Sequence, residues 1–159
     1  MEWISPVSTA LGAAIGVGAT LFSDRLRWRR EREDRALESR KQLYADYSAA
    51  LSRIRTALNE AAHDQSLSGE ERRQRVRELF LAPGAYELRH QLAILAPEAV
   101  ITVSSRAFKI LRDTRDSILE GAGAGSAEYA ELEDAFDSAV AELRRVMRAD
   151  LGVRDRLAG

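Results

Sequence analysis

The chain has 159 residues, of which 45% are hydrophobic and 31% are charged. These proportions suggest one globular domain with an appendage and exclude a disordered tail or a polytopic membrane protein. There is no cysteine, which excludes disulfide scaffolds, thiolate metal sites and cysteine nucleophiles. The formal net charge of −1 argues against a nucleic-acid-binding role for the protein as a whole.

The N-terminal segment has no charged side chain from residue 3 to residue 22. About 20 residues are enough for a helix to cross a hydrocarbon core of ~30 Å, so residues 1–23 are predicted to form a transmembrane anchor. Glu2 precedes the span, and a basic group follows it: Arg25, Arg27, Arg29 and Arg30. This order is the reverse of a cleaved signal peptide. It predicts a single-pass protein of the cytoplasmic (inner) membrane with its N-terminus outside. A buried core helix is the alternative.

Small residues recur every four positions within this span, at Ser8, Gly12, Gly16 and Thr20. Small side chains at this spacing allow two helix backbones to approach closely in a bilayer. The pattern therefore predicts a helix-association face and a possible homo-oligomer.

The rest of the chain has the 3–4 spacing of helices. Residues 24–36 mix both signs of charge and are predicted to form a solvated juxtamembrane stalk. An apolar stripe then begins near Ala36 and continues to a helix end near His63. Ser68 and Glu71 form a capping box for a second helix over 69–82. After Pro83-Gly84 the pattern resumes over 85–96, with Leu88, Leu92 and Leu95 as its apolar side.

Two further helices are predicted, over 97–120 and from Ser126 to about Gly152. The apolar seam of the first is Val100, Ser104, Ala107, Phe108, Leu111, Thr114 and Ile118. The seam of the second is Tyr129, Leu132, Phe136, Ala139, Leu143 and Val146. The predicted fold is all-α, with a transmembrane helix that continues into an up-down antiparallel four-helix bundle over 37–152. A tail follows over 153–159.

Charge is unevenly distributed along the predicted bundle. Residues 113–142 contain nine acidic side chains and one basic side chain, Arg115. The up-down topology places the 121–125 turn at the end of the bundle away from the membrane. An acidic tip is therefore predicted as the surface for a partner protein, and its residues are Asp116, Glu120, Glu128, Glu131, Glu133 and Asp134. The arginines that follow the anchor are predicted to lie near anionic lipid headgroups.

Candidate chemical sites have unfavourable geometry. Both histidines lie in Glu-x-x-His, as Glu60/His63 and Glu87/His90, a spacing that four-helix bundles use to hold two metal ions. At about 100° per residue, however, these side chains point away from the apolar stripes, so they are predicted to lie on the surface. No phosphate-binding loop, nucleophile elbow or His-Glu-x-x-His motif occurs. We predict no catalysis, no cofactor and no metal. The basic helix over 69–82 lacks the aromatic platform of a nucleic-acid site.

The order of an apolar span, an Arg-Trp-Arg-Arg stop and a Tyr-containing helix (RKQLYADYSAAL) resembles that of uncharacterised actinobacterial single-pass membrane proteins with a cytosolic helical bundle. The segments YELRHQLAILAPEAV and MRADLG add to this resemblance. It implies the architecture and brings no activity or site residue.

Three functions follow as hypotheses. The first is a membrane-tethered interaction or scaffold module that presents a cytosolic surface to an unknown protein partner. The alternative is an oligomeric pore or permeability protein that assembles through the small-residue face of the anchor. A di-metal bundle enzyme is the third, and the placement of the histidines disfavours it.

Overall fold

The computed structural model describes the backbone of residues 4–81 and 84–153 and the side chains of residues 27–79 and 84–153. Within these ranges the protein is all-α, with five helices and no strand, which confirms the all-α part of the predicted fold. The helices are α1 (Ile4–His63), α2 (Gly69–Leu81), α3 (Ala85–Leu95), α4 (Glu98–Glu120) and α5 (Ala127–Asp150).

The predicted capping signals form as expected. The Ser68 backbone N–H donates to Glu71 Oε2 at 2.8 Å, and the Glu71 N–H donates to Ser68 Oγ at 3.3 Å. Ser126 Oγ accepts a hydrogen bond of 3.2 Å from the Tyr129 N–H at the start of α5. Each cap satisfies N–H groups that the first helical turn cannot pair internally. At the end of α4, Gly121 adopts φ 105°, a left-handed conformation that favours glycine.

The chain divides into two compact units, Met1–Ser39 and Arg40–Gly159. In the first unit, every described side chain from Arg27 to Ser39 is exposed. Ala36, which the sequence placed at the start of the apolar stripe, is exposed too. Two ion pairs of this stretch join side chains one helical turn apart, as between Arg27 Nε and Glu31 Oε1 at 3.1 Å.

The anchor predicted over residues 1–23 lies outside the described side chains, together with its face of Ser8, Gly12, Gly16 and Thr20. Within the part of the chain that the structure describes, no helix combines the length and the apolar character that a membrane crossing requires.

The second unit has a continuous hydrophobic core. From α1 the core takes Leu43, Tyr44, Tyr47, Ala50, Leu51, Ile54, Leu58, Ala61 and Ala62. All seven predicted seam residues of α4 are buried. From α5, four predicted seam residues are buried with Met147, whereas Leu132 and Val146 are half-buried. In α1 the predicted apolar stripe is therefore buried from Leu43 onward, whereas its predicted start at Ala36 is exposed.

Contacts between helices fix their directions within this unit. Along α1, Arg40, Ser48 and Arg55 contact α5 at Asp150, Met147 and Glu133 respectively. Residue numbers rise along α1 as they fall along α5, so the two helices are antiparallel. Arg106 of α4 pairs with Glu142 of α5 at 2.8 Å, and the Tyr47 hydroxyl donates to the Ser104 carbonyl at 3.1 Å. The helices α1, α4 and α5 thus share one core.

The prediction that Leu95 belongs to the core is wrong, because its side chain is 46% exposed. The neighbouring Ile94 is 80% exposed, while Leu92 is buried. The reason is that α3 ends at Leu95 and Ala96 adopts extended backbone. Leu95 therefore lies on the corner between α3 and α4, where no further helical turn covers it.

Candidate interaction site

Two polar clusters join α1 to α5, and the first lies where the second unit begins. We call Arg40, Tyr44 and Asp150 the entry cluster. The Tyr44 hydroxyl donates to Asp150 Oδ2 at 2.7 Å, and Arg40 Nη1 donates to the same carboxylate at 3.2 and 3.3 Å. Burial raises the pKa of Tyr44 above its ordinary value, and the hydrogen bond to Asp150 raises it further. The Asp150 carboxylate thus accepts hydrogen bonds from two side chains of α1.

The second cluster lies about four turns further along α1. We call Arg55, Tyr129, Glu133 and Asp137 the tip cluster. Arg55 Nη2 donates to Glu133 Oε2 at 2.8 Å, and Arg55 Nη1 donates to Asp137 Oδ1 at 2.7 Å. The guanidinium also lies 5.4 Å from the ring centroid of Phe136. One arginine is therefore held in a fixed plane by two carboxylates and an aromatic face.

Tyr129 differs from the buried Tyr44 and Tyr47, whose hydroxyl groups donate hydrogen bonds to Asp150 and to the Ser104 carbonyl. Its side chain is buried, and its hydroxyl oxygen has no hydrogen-bond partner among the described residues. Burial raises the pKa of Tyr129 to about 12, and the negative charge of Glu133 adds to the effect. The His63 ring packs against the Tyr129 ring edge-on, with 6.3 Å between ring centroids. Burying a hydroxyl without a hydrogen-bond partner lowers the stability of the folded state by about 1–3 kcal/mol. The contact between α1 and α5 at Tyr129 therefore leaves one polar atom unpaired among the described residues.

A groove of about 440 Å³ runs along the surface of α1 beside the tip cluster. Its described lining is Arg55, Thr56, Asn59, Glu60 and His63. His63 Nδ1 lies 2.9 Å from the Asn59 carbonyl oxygen. A carbonyl only accepts, so Nδ1 is assigned as the donor. The groove therefore presents the Glu60 carboxylate as an acceptor, with the imidazole of His63 held against the last turn of α1.

The residues of the predicted acidic tip do not form one group in the structure, because two of them pair with different arginines. Asp116 pairs with Arg115 at 2.7 Å, and Glu133 belongs to the tip cluster. The remaining predicted tip residues are exposed: Glu120, Glu128, Glu131 and Asp134. Their role as a partner surface stays a prediction.

Helix geometry separates the acids of α5. At about 100° per residue, Glu131 lies about 20° from the direction of Glu142, which contacts α4 through Arg106. Glu133 lies about 180° from Glu142 and contacts α1 instead. The acids that appear as one block in the sequence therefore border two different neighbours of α5.

The other predicted residues are placed as follows. Arg27 pairs with Glu31, and Arg29 and Arg30 are exposed, whereas the side chain of Arg25 lies outside the described residues. Glu60, His63, Glu87 and His90 are exposed, which confirms their predicted surface placement. The described residues contain no group of three His, Asp or Glu side chains placed to hold a metal ion.

Sequence reasoning missed the pairing of Arg55 with α5. Arg55 directly follows the stripe residue Ile54, which places it at the border of the buried face. That position was a usable signal for a contact with a neighbouring helix. The identity of the partner acids, 78 and 82 residues away, depends on the register between α1 and α5.

Comparison of the chain with protein families, with curated proteins and with solved structures gave no match. The functional argument therefore rests on the residues and contacts described above.

Proposed function

We propose that the protein is a membrane-tethered helical interaction module. In this proposal, residues 1–23 anchor the chain in the cytoplasmic membrane with the N-terminus outside, and residues 24–36 form the stalk. Residues 37–152 form an up-down four-helix bundle that presents a cytosolic surface to a protein partner. The proposal includes no catalytic step, no cofactor and no nucleic-acid ligand.

The observation that carries the proposal is the exposure of every side chain from Arg27 to Ser39. A helix that is polar on all sides builds no core of its own and is typical of a connection between two bodies. One of these bodies is the packed unit that begins at Arg40. The uncharged span over residues 3–22 is the candidate for the other, because its length suits a bilayer.

The bundle assignment is supported by the contacts of the shorter helices. Val76 of α2 and Leu92 of α3 are buried in the same core as α1, α4 and α5. In addition, Arg89 Cζ lies 4.5 Å from the ring centroid of Phe108 in α4. Together α2 and α3 would form the fourth helix of the bundle, interrupted at Pro83-Gly84.

Membrane fractionation of cells that express the full chain tests the tether. The wild-type protein should remain in the membrane pellet after carbonate washing. The double variant Leu11→Arg/Val17→Arg should move to the soluble fraction, because each arginine at the centre of a span costs about 2.5–3.5 kcal/mol on insertion scales.

Leu37→Arg is the matched control, since it adds the same charge within the exposed stretch of α1. This variant should stay in the pellet. Wild-type protein in the soluble fraction, or release of Leu37→Arg together with the double variant, would refute the tether.

Self-association through the predicted face of Ser8, Gly12, Gly16 and Thr20 belongs to the same proposal. Leucine at both Gly12 and Gly16 should remove crosslinked oligomers from membranes, because bulky side chains keep the two backbones apart. Crosslinked oligomers that persist in this variant would exclude the face, and with it the alternative function of an oligomeric pore.

A further inference from the structure

We propose that one face of α3 binds an acidic segment of the partner protein, in which a carboxylate pairs with the Arg89 guanidinium and an apolar side chain covers Tyr86 and Ile94. This inference rests on the proposed function in one respect, namely that the unit from Arg40 onward presents a surface to a protein. Membrane attachment plays no part in it, so the two proposals can fail separately.

Arg89 differs from the other half-buried arginines of the described residues in having no polar partner. Five of these each donate to a carboxylate or a carbonyl: Arg40 to Asp150, Arg55 to Glu133, Arg72 to the Asp64 carbonyl, Arg73 to Glu70 and Arg115 to Asp116. Arg89 is half-buried as well, yet it makes no hydrogen bond or ion pair within the described part of the chain. A guanidinium has five N–H donors and no acceptor, so those of Arg89 are open to an acceptor from another molecule.

Phe108 holds the Arg89 guanidinium in place. Arg89 Cζ lies over the Phe108 ring, 4.5 Å from its centroid, and this ring is fixed in the core because it is only 1% exposed. The Tyr86 ring packs edge-on against Phe108, with 5.1 Å between centroids, and is itself 39% exposed. An arginine held against an aromatic ring beside an exposed tyrosine is a combination typical of the residues that dominate binding at protein interfaces.

The charges around Arg89 favour an anionic ligand. Glu87 is the only acid of α3, and it lies about 160° around the helix from Arg89. On α4, Arg112 lies one turn after the ring that Arg89 covers; it is exposed and has no ion pair among the residues described. The neighbouring Lys109 is neutralised by Asp113 at 2.7 Å. The two arginines therefore leave a positive surplus beside this ring, which a carboxylate would offset.

Apolar surface continues along α3 from the same place. Exposed side chains recur every four residues at Tyr86, His90 and Ile94, and residues at this spacing lie on one side of a helix. Ile94 is 80% exposed, and it lies ~12 Å along the helix axis from Tyr86. A free anion would pair with Arg89 but would leave Tyr86 and Ile94 uncovered. The combination therefore favours a protein segment that carries both a carboxylate and an apolar side chain.

The experiment titrates the full chain in detergent micelles with an octapeptide of alternating glutamate and leucine, and NMR follows the imidazole signals. The chain has two histidines, so His90 reports on α3 and His63, at the end of α1, is an internal reference. The His90 signals should shift with saturation, and those of His63 should not. Octapeptides of alternating lysine and leucine, or of alternating glutamate and serine, should bind more weakly.

Two variants and a matched control identify the groups involved. Arg89→Gln should weaken binding of the glutamate–leucine peptide by about fivefold or more, since it removes the charged partner of the carboxylate. Ile94→Ser should weaken binding by about two- to fivefold, because it removes apolar contact area. Arg144→Gln removes the same charge from an exposed arginine of α5 and should leave binding unchanged.

Thermal unfolding separates a binding role for Arg89 from a structural one. Because Arg89 makes no hydrogen bond to another described residue, Arg89→Gln should keep a thermal midpoint close to that of the wild type while peptide affinity falls. A lower midpoint with unchanged affinity would assign the guanidinium a structural role and would overturn the inference. Ile94→Ser tests the same face without altering a packed side chain, since Ile94 is largely exposed.

The remaining outcomes distinguish other occupants of this face. Inorganic phosphate that shifts the His90 signals as strongly as the peptide would indicate a site for small anions. His90 signals that change when the chain alone is diluted would indicate a second copy of the chain. Either result contradicts the inference, as do unshifted His90 signals or equal losses of affinity in Arg89→Gln and Arg144→Gln.

Discussion

Residues 27–39 and residues 40–63 belong to the same helix, α1, yet only the second stretch buries side chains. The second stretch places an apolar residue at nearly every third or fourth position, and these residues pack against α4 and α5. The first stretch has charges on all sides, and its described ion pairs are internal to the helix. Both of these stretches are therefore helical, whereas packing of buried side chains against other helices is seen in the second stretch and not in the first.

The largest expected effect comes from replacing one leucine in each stretch by alanine and comparing the changes in the free energy of unfolding. Leu51 is 1% exposed and Leu37 is 38% exposed. Leu51→Ala should lower the free energy of unfolding by about 2–5 kcal/mol, because it leaves a cavity in the core. Leu37→Ala should change it by less than about 0.5 kcal/mol. Chemical denaturation followed by circular dichroism measures both values, and equal losses would contradict the distinction between the stretches.

The second prediction concerns the entry cluster. Asp150→Ala should lower the free energy of unfolding by about 1–3 kcal/mol, because it strands the Tyr44 hydroxyl and the Arg40 guanidinium. In the same denaturation experiment, Asp134→Ala removes an exposed aspartate of the same helix and should have little effect. A loss in Asp150→Ala no larger than in this control would show that the cluster does not stabilise the α1–α5 seam.

The third prediction concerns alkaline pH. Burial raises the pKa of Tyr47 from its ordinary value of 10.0 to about 12. Above pH 10 the unfolded chain loses this proton before the folded chain does. Stability should therefore fall as pH rises from 10 to 12, by up to about 1.4 kcal/mol per pH unit from this group.

Denaturation midpoints at a series of pH values measure this effect. The slope should be smaller in Tyr47→Phe than in the wild type. Tyr86→Phe, a substitution at an exposed tyrosine, should retain the wild-type slope. If Tyr47→Phe retained it as well, the buried phenol would not be the source.

The smallest expected effect is in the exposed stretch. Glu31 is hydrogen-bonded by Arg27 at 3.1 Å, but both side chains are largely exposed. Glu31→Gln should change the free energy of unfolding by less than about 0.5 kcal/mol. A change larger than 1 kcal/mol in urea denaturation would indicate a contact of this stretch beyond its own helix.

Sequence patterns predicted the features that depend on residues close together in the chain, such as helix ends and caps. The helix end at His63, the capping box at Ser68 and the cap at Ser126 each depend on residues within one turn. The apolar seam of α4 needs only the 3.6-residue period. A heptad pattern placed Val146 in the α5 seam, but the buried residue is Met147. Met147 follows Tyr129 by 18 positions, which is five turns of a straight helix.

The candidate site was harder to predict because it depends on register between distant segments. Counting charges gave a block of eight net negative charges over residues 113–142. In the structure, however, Arg55 and Arg106 bring positive charge from outside this block to Glu133 and Glu142. The unsatisfied hydroxyl of Tyr129 was also beyond prediction, since its seam position indicates burial but says nothing about hydrogen bonding.

Limited digestion of isolated membranes with trypsin tests the central claim most directly. The exposed stretch of α1 contains arginines at five positions from 27 to 35. Trypsin should therefore cut there first and release a folded helical fragment that begins between residues 28 and 36. The residues before the cut should remain in the membrane pellet. Early cleavage within residues 43–62, or recovery of the whole chain in the supernatant before protease is added, would contradict the tethered-module account.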